Sequence, residues 1–484
     1  MDGKEMYLID GLQAVCEGLR CTCGGVLGAG EDCPLRCSVC GTAYPVEDGI
    51  PLLIAQGAAT ALDQIDYDSV YRIDDNASMA FASSQLELLG ARLGRPVDSF
   101  LEIGAGTGQF TLGFMHQARP ARALVTDISP GMLMTCRGRL RANGIAGSDV
   151  GFAAWDGSTP LAPEAFDFIA GFSVLHHVLD YQAMITSLAP ALRPGGVAVF
   201  LEPNYRFHLA MVETACEIFV AAQGSPEWQR DDLQHLADWT YENNTNLRFR
   251  GDERVLAARE DKHLFDGDQL REAGRLAGLD AVELLAAADE SLSGMEVYSA
   301  QMNLSPRARD DLMARYARLL PGPFAHLGVE DLAASSTIVF GRMVGPATAA
   351  RGAPPPQRLA LPLENAKVRC DLAFCAADAE DDAGIRADGW ILGDRDLAYV
   401  ALRQGDREWL FPVSGVRMDV HSAINATREY PLRRALFSGV AATVNGPALS
   451  NEVRVLAVGT DGTRVELGTI TPEGETMAAR FAIL

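Results

Sequence analysis

Phe100-Leu-Glu-Ile-Gly104-Ala-Gly106-Thr-Gly108-Gln-Phe110 is the stretch whose reading decides the fold. An apolar run of strand length ends in three glycines at alternate positions, and a helical stretch begins at once. Glycine lets a backbone turn sharply and approach a ligand that a Cβ would exclude. The dinucleotide-binding pattern G-x-G-x-x-G would need its third glycine at 109, where Gln109 stands; the glycine falls one residue earlier, at 108. Asp127 ends the next strand-like run, where a carboxylate can accept hydrogen bonds from both hydroxyls of a ribose.

Outward from this loop, strand-like runs alternate with helical stretches from about residue 60 to 345, the pattern of a parallel α/β sheet. Strands are expected at 99–103, 123–127, 150–154, 166–171 and 197–202, with 281–285 and 337–342 completing a seven-stranded sheet. Residues 206–263 read as mostly helical and are too long for a simple connection. Such an insertion covers an active site or holds a substrate.

Glu102-x-Gly104-x-Gly106-x-Gly108 resembles the first motif of class I S-adenosylmethionine (SAM)-dependent methyltransferases, and the likeness continues in order over residues 65–343. Asp127-Ile-Ser-Pro-Gly-Met132 is similar to the second motif. Ala154-Trp-Asp156-Gly157 is similar to the third, whose carboxylate meets the adenine amino group. Phe166 to Val178, with Phe172, His176 and His177, looks like the fourth strand and its loop. Leu192-Arg-Pro-Gly195-Gly196 looks like the turn before strand five, and Tyr67-Asp-x-x-Tyr71 resembles an aromatic pair that folds over the cofactor. The resemblance implies a Rossmann-like sheet, SAM as cofactor, and cofactor contacts from Tyr71, Glu102, Gly104, Ala105, Gly106, Gly108, Asp127, Ile128, Met132, Asp156, Gly157 and Phe172. A hydroxyl acceptor would also need a base. His176 and His177 after the fourth strand, and Glu202 at the end of the fifth, are the candidates, each with a loop-ordering role as the alternative.

The amino-terminal region reads Cys21-Thr-Cys23, then Cys33-Pro-Leu-Arg-Cys37-Ser-Val-Cys40-Gly41. Cys37-x-x-Cys40-Gly41 has the spacing of a metal knuckle, and two such pairs make the tetrahedral all-cysteine site typical of structural zinc. With the tail Tyr44-Pro-Val-Glu-Asp-Gly-Ile-Pro51, residues 12–54 resemble the short zinc ribbons of methyltransferase-associated bacterial and archaeal proteins. The first pair departs from the C-x-x-C usual in that family. The implied ligands are Cys21, Cys23, Cys37 and Cys40, with Cys33 as a substitute; a ribbon that has lost its metal is the alternative.

The expected organisation is a ribbon at 1–58, a methyltransferase domain at 59–345 with its insertion at 206–263, a Pro-rich linker at 346–358, and an all-β, sandwich-like domain at 359–484. Gly389-Trp390 and Arg417-Met-Asp419-Val420 weakly resemble β-domains appended to bacterial glycosyltransferases and polysaccharide-modifying enzymes. That domain would recognise a glycan or a partner protein, or form a homo-oligomer.

A composition of 48% hydrophobic and 22% charged residues is that of a folded chain, and a net charge of −23 disfavours broad nucleic-acid binding. No apolar run reaches the roughly 18 residues of a membrane span, and no secretory signal opens the sequence. A cytoplasmic enzyme methylating a small molecule, a sugar or a glycan precursor, at oxygen, is the leading expectation. An RNA methyltransferase (rRNA or tRNA) and a non-catalytic SAM-binding scaffold are the alternatives.

Overall fold

The structure is a computed structural model of the 484-residue chain and describes residues 9, 11–30, 34–54, 74–93, 96–145, 147, 149–248, 261–279, 281–285, 289–328, 331–342, 368–377, 384–418, 420–425, 429–445, 452–460, 463–471 and 479–483. Tyr71, Cys33 and the expected linker at 346–358 lie outside the described residues. The chain divides into two units, Met1–Pro203 with Phe265–Ala287 and Ser335–Ala353, and Asn204–Leu264 with Ala288–Ala334 and Pro354–Leu484.

In the first unit, β1 (Leu27–Gly28), β2 (Leu35–Cys37) and β3 (Ala43–Tyr44) form the small sheet of the ribbon. Next come β4 (Val46–Glu47), β5 (Ile50–Leu53), β6 (Ser99–Ile103), β7 (Arg122–Asp127), β8 (Val150–Trp155), β9 (Phe166–Phe172), β10 (Leu192–Pro203), β11 (Ala281–Leu285) and β12 (Ser335–Gly341). They make one sheet in the order β11-β12-β10-β9-β6-β7-β8-β5-β4. β5 to β10 pair parallel wherever they are neighbours, whereas β12 runs antiparallel to both β10 and β11. The central strands are buried along their length, as the continuous apolar runs of a sheet covered on both faces require.

The Rossmann-like sheet thus has nine strands, where seven were expected. The two additional strands come from the ribbon's own tail. Leu52 and Leu53 of β5 pair with Ala154 and Trp155 of β8, closing an edge that would otherwise present unpaired backbone. The ribbon is joined to the sheet a second time through α1 (Leu12–Gly18). Val15 of that helix is fully buried, and a Cβ on Gly18 would come within 2.6 Å of Leu124 Cδ2.

Helices α2 (Asp75–Leu89), α3 (Gln109–Ala118), α4 (Pro130–Ala142), α5 (Tyr181–Ala191) and α8 (Gly267–Leu276) belong to the same unit. Their starts are written in the sequence. Asp74, Ser129 and Asp180 each accept a backbone N–H from the first turn of the helix that follows, satisfying a donor the helix cannot pair internally.

The second unit holds the expected helical insertion as α6 (Tyr205–Ala222) and α7 (Arg230–Arg248). It also holds a helix pair that no sequence motif announces, α9 (Ser293–Gln301) and α10 (Pro306–Leu319), inserted between β11 and β12. Phe207, Met211, Ile218, Trp239, Leu312 and Tyr316 are among the residues of their common core.

The carboxy-terminal strands are β13 (Val368–Ala377), β14 (Gly384–Gly393), β15 (Leu397–Gln404), β16 (Arg407–Gly415), β17 (Gly439–Asn445), β18 (Val453–Gly459), β19 (Arg464–Ile470) and β20 (Ala479–Ile483). They form one antiparallel sheet in the order β19-β18-β15-β16-β17-β14-β13-β20, a half-barrel where a sandwich was expected. Alternate residues such as Leu372, Phe374, Val400, Leu402, Phe411 and Val455 share one core, so a single curved sheet buries its own inner face. The short helix α11 (Leu432–Leu436) follows β16; its Leu432 and Leu436, with Phe437, pack against Val212 and Cys216 of α6.

Candidate active site

Gly104, Asp127, Asp156, Phe172 and Glu202 all stand at or just beyond the carboxyl ends of adjacent parallel strands β6 to β10. The strand order reverses between β6 and β9, and open α/β sheets bind ligands at such a switch point.

The glycine loop is held by its neighbours. Asp127 accepts the Gly106 N–H at 2.8 Å through Oδ2 and the Ser129 N–H at 2.9 Å through Oδ1. The Ala105 N–H donates to the Thr126 carbonyl at 2.9 Å, and the Thr126 hydroxyl to the Glu102 carbonyl at 2.7 Å. Gly106 takes φ 54°, a conformation L side chains rarely adopt, and a Cβ there would meet nothing within 4 Å. At Gly106 the loop therefore turns bare backbone toward open space, which is what close approach by a ligand needs. Gly104, with φ 65°, is crowded instead: its Cβ would come within 2.5 Å of Val174 Cγ2.

Glu102 is buried beneath this loop, its Oε2 accepting the Thr111 hydroxyl at 2.6 Å. Burial pushes its carboxyl up to about 8, opposed by Thr111 and reinforced by the negative charge of Asp127. Ala105 and Met132 are buried and Ile128 half-buried; the Met132 N–H donates to Ser129 Oγ at 3.2 Å. Asp156 and Gly157 follow β8, and Asp156 Oδ1 accepts the Ser158 N–H at 2.8 Å. Phe172 packs against Phe110 and Phe81 with ring centroids 4.3 and 5.2 Å away.

His176 and His177 lie on a single 3₁₀ turn after β9, their rings 4.0 Å apart. Glu202 is fully buried behind that turn. Its Oε1 accepts the N–H groups of Val174 at 3.1 Å and Leu175 at 2.8 Å; its Oε2 accepts the N–H of His176 at 3.2 Å and lies 2.8 Å from His176 Nδ1. Sequence reasoning reached His176, Glu202 and Glu102 separately and missed Val174, which packs the turn after β9 against Gly104, and Thr111, which holds Glu102 beneath the loop. No local motif announces such contacts, because they are made between a turn or helix and the end of a separate strand.

The ribbon brings Cys21, Cys23, Cys37 and Cys40 together, with all four Sγ atoms within 4.8 Å of one another. Cys21–Cys40 and Cys23–Cys37 are each 3.5 Å apart. That is far beyond the roughly 2.05 Å of a disulfide and near the ~3.8 Å that four thiolates about 2.3 Å from a tetrahedral ion would show. The Tyr44 hydroxyl donates to Cys21 Sγ at 3.1 Å, an outer contact of the kind that orients metal ligands. The four residues fit a tetrahedral, thiolate-bound ion.

Residues 101–198 match a family model described as a methyltransferase domain. The ubiquinone/menaquinone biosynthesis C-methyltransferase of Shewanella piezotolerans is 34% identical over 118 residues, covering 24% of this chain and 46% of the relative. That of Saccharophagus degradans is 34% identical over 135 residues, 28% of this chain and 53% of the relative. The chain thus spans about half the length of the curated relatives it matches. Among solved structures, phosphoethanolamine N-methyltransferase 2 of Haemonchus contortus with S-adenosyl-L-methionine aligns with TM-score 0.34 at 14% identity, over 61% of this chain and 62% of that one.

Proposed function

We propose that this chain, which carries a class I SAM-dependent methyltransferase domain, transfers a methyl group from SAM to a small-molecule acceptor, at an oxygen atom. The observation that carries the reading is the Asp127–Gly106 tie beside a loop whose bare backbone faces open space. SAM would supply an electrophilic methyl group on its sulfonium sulfur, and most of the driving force with it. Asp127, at the carboxyl end of β7 and tied to Gly106 and Ser129, is the carboxylate for the ribose. Asp156 is the carboxylate for the adenine amino group, and Phe172 supplies an apolar wall. Tyr71 remains a proposed contact by resemblance alone.

The chain's own task is to hold the acceptor in line, exclude water and remove a proton. Alignment by itself can supply several kcal/mol, up to roughly 7–11 in the best intramolecular cases. His176 is the base in this reading, with the His177 ring tilted against it 4.0 Å away. Carbon acceptors belong to the curated relatives by name; their match favours the donor and the domain, and it leaves the acceptor of this chain to its own residues. Among the described residues no helix is long and apolar enough to cross a membrane, in keeping with an acceptor reached from water.

Cys21, Cys23, Cys37 and Cys40 would hold one zinc ion. Four thiolates leave no open coordination position, so its part is structural. The half-barrel is read as an accessory domain for a glycan, a partner protein or a second copy.

Calorimetry with SAM and with NADH tests the reading. SAM should bind and NADH should not; tight NADH binding without SAM binding would overturn it.

A further inference from the structure

The tail of the amino-terminal ribbon continues as β5, which pairs parallel to β8 with Leu52 opposite Ala154 and Leu53 opposite Trp155. The next residues along that register are Ile54 and Asp156. Parallel neighbours end at the same edge of a sheet, so Ile54 stands at the edge where Gly104, Asp127 and Asp156 also stand. That is the edge at which open α/β sheets bind their ligands.

Side chains alternate along a strand, so Ile50, Leu52 and Ile54 share one face. All three belong to the core that holds Leu133, Cys136 and Leu140 of α4. Ile50 is fully buried there, whereas Ile54, nearer the edge, is half-buried. α4 begins at Pro130, directly after Asp127-Ile-Ser129, with Met132 in its first turn. Ile54 thus occupies the corner between the carboxyl end of β8 and the start of α4. Its place is fixed from two sides. β8 holds β5 by backbone pairing, and Arg137 of α4 donates to the Asp48 carbonyl in the turn before β5 at 2.6 Å.

Small-molecule sites surround a few polar groups with apolar surface. At the end of β8 the polar groups are the Asp156 carboxylate and the backbone of Gly157. The aromatic wall, Phe172, ends β9, three strands away across β6 and β7. A branched aliphatic side chain in register with Asp156 supplies apolar surface on the other flank, where a flat and weakly polar ring can lie against it.

We infer that Ile54 is a cofactor contact: its side chain borders the adenine ring of SAM at the carboxyl end of β8, so the ribbon's tail completes the site to which it is joined. This rests on the methyltransferase reading above for the identity of the ring, and on register and packing alone for its place. The ribbon thereby takes a direct part in holding the donor. The metal takes none, because β5 is held by its pairing and its core rather than by the cysteines.

The test titrates the full chain, labelled with ¹³C in the isoleucine δ1 methyl groups, with S-adenosylhomocysteine. Ile54→Val, which lacks that methyl, assigns the signal. The Ile54 signal should shift as the site fills and show a nuclear Overhauser contact with an adenine ring proton. By calorimetry Ile54→Ala should bind S-adenosylhomocysteine about three- to tenfold more weakly, the loss expected when part of a buried aliphatic group is removed. The same factor should be lost for 5′-methylthioadenosine, which keeps the adenine and lacks the amino-acid end. Leu52→Ala, on the same face but one step further from the edge, should lower the urea midpoint and leave both affinities unchanged.

A chain that binds S-adenosylhomocysteine with the Ile54 signal unmoved and no contact to the ring overturns the inference and leaves the methyltransferase reading standing. So does equal weakening in Ile54→Ala and Leu52→Ala, which would make the effect one of β5 stability. Should Ile54→Ala fail to fold, the titration of the native chain still decides. A native chain that binds no S-adenosylhomocysteine would sink the methyltransferase reading, and the inference with it.

Discussion

The Asp127 carboxylate accepts the Gly106 N–H at 2.8 Å, so the end of β7 and the middle of the glycine loop are fixed to each other before any ligand arrives. Preorganisation of this kind lowers the ordering cost of binding. Asp127→Ala removes the tie and the expected ribose contacts together. Charged hydrogen bonds contribute roughly 1.5–3 kcal/mol, so SAM affinity should fall by about 10- to 150-fold. Calorimetry on a variant with native circular dichroism is the check, and unchanged affinity would remove Asp127 from the site.

Glu102 gives the cofactor-free protein a pH dependence of definite sign. Burial raises its carboxyl from an ordinary 4.5 to about 8 in the fold. Between those values the folded chain keeps a proton that the unfolded chain has lost, so stability declines as pH rises through that window. Each pH step of one across the window corresponds to about 1.4 kcal/mol, so the full effect is on the order of a few kcal/mol. Urea unfolding at a series of pH values from about 6.5 to 8 should show the decline, and Glu102→Gln, which cannot ionise, should flatten it. A wild-type profile that rises over the same range would contradict the assignment.

Metal removal should affect the ribbon and leave the cofactor loop alone. Protein purified without added zinc should carry about one ion per chain, as one four-thiolate site implies. Changing Cys37 and Cys40 together to Ser should abolish the metal and loosen the segment around β1 to β3. SAM affinity should persist, because β5 is held by its pairing to β8 and α1 by the burial of Val15, neither of which needs the ion. Elemental analysis and calorimetry on the same preparations decide; a metal-free native chain with an ordered ribbon would favour the degenerate alternative.

The parallel strands were legible because a strand covered on both faces must be apolar throughout, and 166–171 or 197–202 can hardly be read otherwise. The glycine loop was legible because positive φ is a local property that spacing records. β5 was not: Ile50-Pro-Leu-Leu53 contains a proline, which demotes a run to an edge strand or a tail, and only β8 decides which. Nor does residue alternation distinguish a half-barrel from a sandwich, since each buries every second side chain. Glu202 was visible as a residue, as a base or a loop-ordering carboxylate, but its partners were not. Val174 lies 28 positions away in sequence, and the contact exists only once β9 and β10 are paired.

The second unit contains a buried charge cluster that should govern its stability. Arg433, with only 4% of its side chain exposed, places Nε 2.8 Å from Glu213 Oε1 on α6, and its two terminal nitrogens 2.6 and 2.9 Å from the Asp396 oxygens. Arg434 reinforces Asp396 at 3.0 Å. Burial pushes the Glu213 carboxyl upward, and Arg433 is the first charge opposing that shift. Arg433→Met would strand Glu213; breaking a fully buried pair by removing one partner costs about 3–5 kcal/mol, and with 24% of the Glu213 side chain exposed the loss should fall below that range. The urea midpoint of this unit should fall accordingly. Adding Glu213→Leu to the same chain should recover part of the loss, since an apolar group in that place needs no partner. The cluster also bears on truncation. A chain ending near residue 353 would lose Arg433 together with Leu432, Leu436 and Phe437, uncovering Val212 and Cys216 on α6. Hydrogen exchange should therefore show reduced protection in α6 and α7 of the shortened chain. If that protection is unchanged, the half-barrel does not stabilise the insertion and the apolar contact with α11 contributes little.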